Sequence, residues 1–150
     1  MQGVVDFRQM VEAVGDAFVV CDPQGSIILW TPAATRIFGF SEAEAMGRSL
    51  DLIIPERQRQ RHWDGYNKTM ETGITRYGND VLRVPALHKD GRSLSIAFTV
   101  ALLRGAGGEV SAIVSVVRDE TARFTEDRNL RKRLAELEMQ VRAGSAAAPP

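Results

Sequence analysis

Residues 94 to 102 alternate without a break, with Leu94, Ile96, Phe98, Val100 and Leu102 on one side and Ser95, Ala97, Thr99 and Ala101 on the other. In an extended strand successive side chains point to opposite faces, whereas a helix would scatter these five apolar residues around its axis. The segment is therefore a β-strand with one face against a core and the other thinly covered or partnered. A strand this long needs neighbours, and the flanking sequence supplies them. Lys89-Asp90-Gly91 turns the chain back from a strand over Val81 to His88, and Gly105-Ala106-Gly107-Gly108 loops it into a last strand over Val110 to Val117.

A second strand pair lies at the other end of the chain. Ala17 to Asp22 is rich in β-branched and aromatic residues, Asp22-Pro23-Gln24-Gly25 is a turn, and Ser26 to Trp30 returns. Short helices fill the middle. Thr31 before Pro32 reads as an N-cap with proline at the first helical position, opening a helix over Ala33 to Phe38 that Gly39 ends. Ser41-Glu42-Ala43-Glu44 is a capping box whose helix closes at Gly47. Asp6 caps a further short helix running to Val14, with Gly15 as its stop. Two strands, several helices and three strands give an α+β fold: a five-stranded antiparallel sheet with short helices across one face, flanked by N- and C-terminal helices.

After Asp119 the pattern changes to a heptad seam of Leu130, Leu134, Leu137 and Val141, spaced four, three and four. Lys132 with Glu136 and Glu138 with Arg142 add opposite charges one turn apart. So short a seam is marginal alone and calls for its own domain or a second copy. The expected organisation is an N-terminal helix over 1–15, the main domain over 16–119, a signalling or coiled-coil helix over 120–143 and a disordered tail over 144–150.

The formal net charge is zero, so nothing in the total recommends nucleic acid or an anionic membrane as partner. No apolar run approaches the ~20 residues that span a bilayer. Met1 to Asp6 lacks a basic start followed by an apolar stretch, and Cys21 is the single cysteine, so a cytoplasmic chain without disulfides is expected. No nucleophile, base and orienting group can be placed together, and no phosphate loop or metal-ligand cluster is visible; an enzyme is not expected.

Pro55 resets the chain for a longer helix on which His62, Tyr66 and Met70 share the apolar side, with Trp63 on its shoulder. Arg57, Arg61 and Lys68 occupy the polar remainder, where the basic run reads as a solvated face. An imidazole turned toward a core is either a satisfied internal hydrogen-bonder or a ligand. The other histidine, His88, sits beside a turn and is expected to be exposed.

Taken together, Asp22-x-x-Gly25-x-Ile27, Pro32-Ala33-Ala34 through Phe38-Gly39-Phe40, Ser41-x-x-Glu44-x-x-Gly47, Lys89-Asp90-Gly91 and Val117-Arg118-Asp119-Glu120-Thr121 resemble a PAS domain over roughly residues 10 to 124. Thr31 stands where many PAS domains carry asparagine. The resemblance implies a sensor or interaction module with a cleft between sheet and helices. The flavin-bonding photoreceptor type carries a reactive cysteine in a stretch that here reads Gly47-Arg48-Ser49-Leu50-Asp51, without one.

The heme-binding PAS sensors of the FixL and Dos type carry a proximal histidine seven residues after the proline that opens the long helix and twenty-eight before the Asp-Gly turn. Pro55, His62 and Asp90 reproduce both spacings. Arg59-Gln60-Arg61-His62 with Tyr66 nearby is also similar to the FixL wording. The resemblance then implies heme b with His62 as iron ligand, Trp63 and Tyr66 beside it, Lys68 and Arg76 at the propionates, and Phe98 and Val100 over the distal face. Leu82 stands where FixL-like proteins place an arginine that hydrogen-bonds oxygen, and Asp80 where Dos-like proteins place a methionine ligand; Arg83 would need a register shift to serve. The implied function is a dimeric sensor of a diatomic gas (carbon monoxide, nitric oxide or oxygen) or of redox state, signalling through its terminal helices to a separate protein. A cofactor-free dimerisation or small-ligand module and a noncovalent flavin-binding redox module are the alternatives.

Overall fold

The computed structural model describes residues 3–75 and 78–147, and the chain divides after Asp119 into two units. The first holds α1 (Phe7–Ala13), β1 (Ala17–Cys21), β2 (Ile27–Trp30), α2 (Pro32–Phe38), α3 (Glu42–Ala45), two 3-10 turns (Leu50–Ile53 and Glu56–Gln58), α4 (Arg59–Thr72), β3 (Leu82–Leu87), β4 (Ser93–Arg104) and β5 (Val110–Asp119). The strands form one antiparallel sheet in the order β2-β1-β5-β4-β3. The last strand thus lies between the two hairpins and joins them.

Register assigns the faces. Phe98 on β4 sits between Leu82 of β3 and Val117 of β5, and Val117 in turn opposes Ala17 of β1. The alternating set of β4 therefore lies on the helix side, where Leu94 and Ile96 are buried with Ile27, Trp30, Ala33, Ala34 and Phe38 in one core. Phe98, Val100 and Leu102 continue that face but are only half-buried. The opposite face is not uniformly thin: Ala97 and Ala112 are small enough to be covered by their neighbours and are buried.

The expected caps form, with one exception. Asp6 accepts from the Gln9 N–H, and Ser41 and Glu44 make the reciprocal capping box at 3.1 and 3.0 Å. Thr31 makes no side-chain cap; its hydroxyl accepts from the Phe18 N–H at 3.1 Å, while its own N–H donates to the Phe18 carbonyl. A buried hydroxyl must find a partner, and here the end of the β1–β2 ladder is nearer than the helix. Gly39 leaves α2 at φ +83°, and the Lys89 N–H donates to the Phe38 carbonyl just before it. Lys89 Nζ also reaches Glu44 Oε2 at 2.6 Å, so the β3–β4 turn is tied to both α2 and α3.

In the β1–β2 turn, the Asp22 carboxylate accepts from the N–H groups of Gln24 and Ser26, and Gly25 adopts φ +84°. A Cβ at Gly25 would overlap the ring of Trp63, so both the backbone and the close approach require glycine there.

The second unit contains α5 (Thr121–Ala147). It runs past the expected boundary at 143, because Ala146 and Ala147 favour helix and a single Gly144 costs only about 1 kcal/mol against alanine. Residues 144–147 are therefore helical rather than a disordered tail, and 148–150 lie outside the described residues.

Two outcomes test these tertiary links. The Lys89 ammonium and the Ser41 N–H hold the Glu44 carboxyl down at about 2. A depressed carboxyl stabilises the fold above its ordinary titration range, and that stabilisation fades as pH falls toward the folded value. Lys89→Met should raise the Glu44 pKa in an NMR titration, and the stability gap from wild type should shrink progressively as the pH falls from 5 toward 2. Gly25→Ala should destabilise by roughly 2–4 kcal/mol in urea unfolding, and Trp63→Leu should relieve the steric share while leaving about 1–2 kcal/mol of backbone strain.

Candidate functional site

Helix α4 carries few aliphatic residues, and its placement rests on a small set of directed contacts. Tyr66 is buried and its hydroxyl donates to the Asp22 carbonyl. The Trp63 ring lies over Gly25, and its Nε1–H donates to Asp51 Oδ1 at 2.6 Å. Arg59 Nε donates to the Ile54 carbonyl at 3.0 Å and Nη2 to the Asp51 carbonyl at 3.3 Å. Asp51 is presented by the 3-10 turn Leu50–Ile53, whose first N–H groups include one donated by Asp51 to Ser49 Oγ. These bonds fix the rotation of α4 about its axis.

His62 stands in the angle they define. Its ring meets Trp63 edge-on with centroids 4.6 Å apart, and lies 5.8 Å from Tyr66. Its Nδ1 is buried and has no hydrogen-bond partner among the described residues. Burial lowers the His62 pKa below the ordinary histidine value, and the negative charge of Asp51 only partly opposes this. The imidazole is therefore neutral at pH 7, the form that can ligate a metal. A buried polar atom left unpaired costs about 1–3 kcal/mol, which makes the Nδ1 position unusual for a purely structural residue.

Met70, Phe98, Val100 and Leu102 are half-buried against the same core that Tyr66 joins. Leu82 opposes Phe98 across the β3–β4 ladder and so shares its face. Arg83 opposes Ala97 instead and is exposed; the register places it on the other side of the sheet from Leu82. Asp80 and Lys68 are exposed. Arg76 lies outside the described residues. His88 differs from expectation: it is half-buried, its ring covers Gly39, and its Nδ1 accepts from the Asp90 N–H at 3.1 Å. The tight turn folds that imidazole back onto α2, which is a structural role.

The remaining reactive candidate is inert. Cys21 is buried and desolvation pushes its thiol up to about 12, so no thiolate forms at neutral pH. Among the described residues no three His, Cys, Asp or Glu side chains gather as a ligand set. One neutral imidazole could supply a single protein ligand to a metal whose other donors come from a macrocycle. Asp51 and Gly25 were not visible as site residues in the sequence. Nothing in Ser49-Leu50-Asp51 signals a partner twelve positions on, and only the folded chain brings that carboxylate to Trp63.

A family model described as PAS fold matches residues 6–119. The chain is 31% identical over 135 residues to the Sensor protein FixL of Bradyrhizobium diazoefficiens, covering 89% of this chain and 25% of that protein. It is 23% identical over 114 residues to the Oxygen sensor protein DosP of Escherichia coli, covering 76% of this chain and 14% of that protein. It thus spans a quarter or less of the length of these two relatives. Among solved structures, the PAS domain of a Colwellia psychrerythraea protein superposes with a TM-score of 0.68 at 23% identity, over 77% of this chain and 95% of that one. An RNA-binding Light-Oxygen-Voltage receptor superposes at 0.67 and 17% identity, over 90% of this chain and 40% of that one, which is a likeness of fold. By its sheet order, its helices and the span of this match, the chain belongs to the PAS family of sensor domains.

Proposed function

We propose that this PAS domain binds heme b through His62 and senses a diatomic gas or a change of redox state. The observation that carries the reading is the buried, unpartnered Nδ1 on an imidazole held neutral by its surroundings. The likeness to FixL and DosP, both named as sensors and one as an oxygen sensor, supports it. When bound, heme supplies the iron at which a gas or an electron is received.

The chain's own residues would do the rest. Trp63 and Tyr66 orient the imidazole by their ring contacts. Lys68, exposed on α4, and Arg76 are both assigned to the propionates by their positions in the sequence. Leu82, Phe98 and Val100 line the inner face of the sheet; they exclude water and donate no hydrogen bond. Such a wall favours carbon monoxide or nitric oxide over dioxygen, which profits from a donor. The domain is read as non-catalytic and cytoplasmic, without nucleic-acid or membrane partners. No described helix is long and apolar enough to cross a membrane.

Signalling would pass to a separate downstream protein through a homodimer formed by the terminal helices. Both carry exposed apolar residues: Phe7, Met10 and Val14 on and beside α1, and Leu130, Leu134, Leu137 and Val141 on α5. A sheet residue moved by the bound group would act on β5, which runs with one intervening residue into α5.

Purified protein titrated with hemin should develop a Soret band that His62→Ala removes or shifts strongly. A band near 450 nm in the protein as expressed would instead identify flavin, and a colourless protein that ignores hemin would identify a cofactor-free module. The heme-free protein offers a second check. Because the folded state holds His62 at a lowered pKa, the unfolded chain binds more protons below the ordinary value of about 6.5. Stability of the wild type should therefore fall as pH drops through that value, and His62→Phe should flatten this part of the urea-unfolding profile.

A further inference from the structure

We infer that Asp51 is a positioning residue for His62 that acts through the indole of Trp63, a role resting on the preceding reading of His62 as the ligating imidazole. His62 and Trp63 are successive residues of α4, and successive side chains on a helix do not face each other. Their rings nevertheless meet edge-on, with centroids 4.6 Å apart and planes at 80°. Something outside the helix must turn one ring toward the other. His62 is not the ring that is pulled, since its Nδ1 has no hydrogen-bond partner among the described residues. Trp63 is held at both ends: its six-membered ring lies against Gly25, and its Nε1–H donates to Asp51 Oδ1 at 2.6 Å.

Contact with Gly25 alone leaves the indole undecided. The torsion that turns a tryptophan or histidine ring about its Cβ–Cγ bond is broad and roughly two-fold, so packing restrains the plane more than the direction. The bond to Asp51 selects one direction, the one that points Nε1 at the carboxylate. Asp51 is itself held still. Its N–H donates to Ser49 Oγ at 3.2 Å, its carbonyl accepts from Arg59 Nη2 at 3.3 Å, and Arg59 Nε lies 4.0 Å from the same Oδ1. Tyr66, one turn along from His62, is fixed independently by its hydroxyl bond to the Asp22 carbonyl and contacts the imidazole at 5.8 Å between centroids. An imidazole without a hydrogen bond at Nδ1 thus takes its direction from two neighbouring rings. What Asp51 supplies to this is an acceptor at a fixed point, not its charge.

The heme-free chain, observed by NMR at about pH 8 where histidine is neutral, tests this directly. Trp30, whose indole donates to the Phe40 carbonyl, and His88 serve as internal references for an intact fold. Asp51→Ala should release the Trp63 indole proton to faster exchange with water and shift the His62 ring protons, leaving the Trp30 and His88 signals in place. Asp51→Asn keeps an oxygen acceptor without the charge and should retain the wild-type pattern. Unmoved His62 signals in Asp51→Ala, or an asparagine variant that behaves like the alanine one, would overturn the role. Should the alanine chain fail to fold, Asp51→Ser, whose oxygen sits one bond nearer the backbone and falls short of the indole, gives the same reading. Hemin titration supplies the arm that depends on iron ligation. Asp51→Ala should weaken hemin binding about tenfold, as loss of an outer group that orients a ligating histidine does. The same change made in a Trp63→Leu background should cost nothing more, and an undiminished further loss would refute a route through the indole. A wild-type chain that takes up no hemin would overturn the ligation reading, while the NMR shifts still decide whether Asp51 directs the ring.

Discussion

An imidazole can be kept neutral and out of water only if other bonds hold its helix in place, because the buried ring itself opposes folding at low pH. In this domain those bonds come from the Tyr66 hydroxyl to the Asp22 carbonyl, the Trp63 indole to Asp51, and Arg59 to the backbone of the Leu50–Ile53 turn. None of them involves His62. The arrangement separates the buried imidazole from the groups that hold its helix in place. Trp63 and Arg59 reach the stretch from Asp51 to Ile54 and Tyr66 reaches the β1–β2 turn, so α4 is held at two separate segments. Gly25 completes the fit by letting the Trp63 ring rest against its backbone.

The sheet presents an inner wall to the helices, and its register decides which side chains lie on it. With period-two strands, one residue of displacement exchanges the inner face for the outer. Leu82 opposing Phe98 puts an aliphatic side chain inside, and Arg83, one position later, points to the other face. Ladder bonds to β4 run along the whole of β3 from Leu82 to Leu87, so a slip that brought Arg83 inward would reverse Val84 and Ala86 too. Ala86 is buried among core residues, which makes such a slip costly. The apolar character of the wall is thus built into the pairing.

Much of this was legible in the residues. The unbroken alternation from Leu94 to Leu102, the Ser41–Glu44 capping box and the Asp22–Gly25 turn each have a local physical cause, and local causes can be read in order along the chain. The inward placement of Tyr66 followed from helical spacing with His62 and Met70. Thr31, His88 and Asp51 did not follow, for a shared reason: each uses its polar group on a partner distant in sequence or folded back by a turn. Thr31 had a good cap position and a better acceptor role at Phe18. His88 had a turn beside it, yet the turn folds its ring over Gly39. α5 runs into the expected tail as far as Ala147, because alanines follow Gly144 and a single glycine does not end a helix.

For a bound group to be felt beyond the cleft, it must displace a side chain whose backbone neighbours lead outward. Phe98 and Val100 meet that condition. Their ladder partners on β5 are Val117 and Ser115, and β5 ends at Asp119, with Glu120 alone before α5 begins. Phe98 and Val100 are half-buried, so they have room to shift that Leu94 and Ile96, deep in the core, lack. A close-packed core has low compressibility and transmits strain, so a displaced inner residue acts on the strand beside it. The same strand that joins the two hairpins is therefore the one through which a change at the inner face reaches the end of the domain.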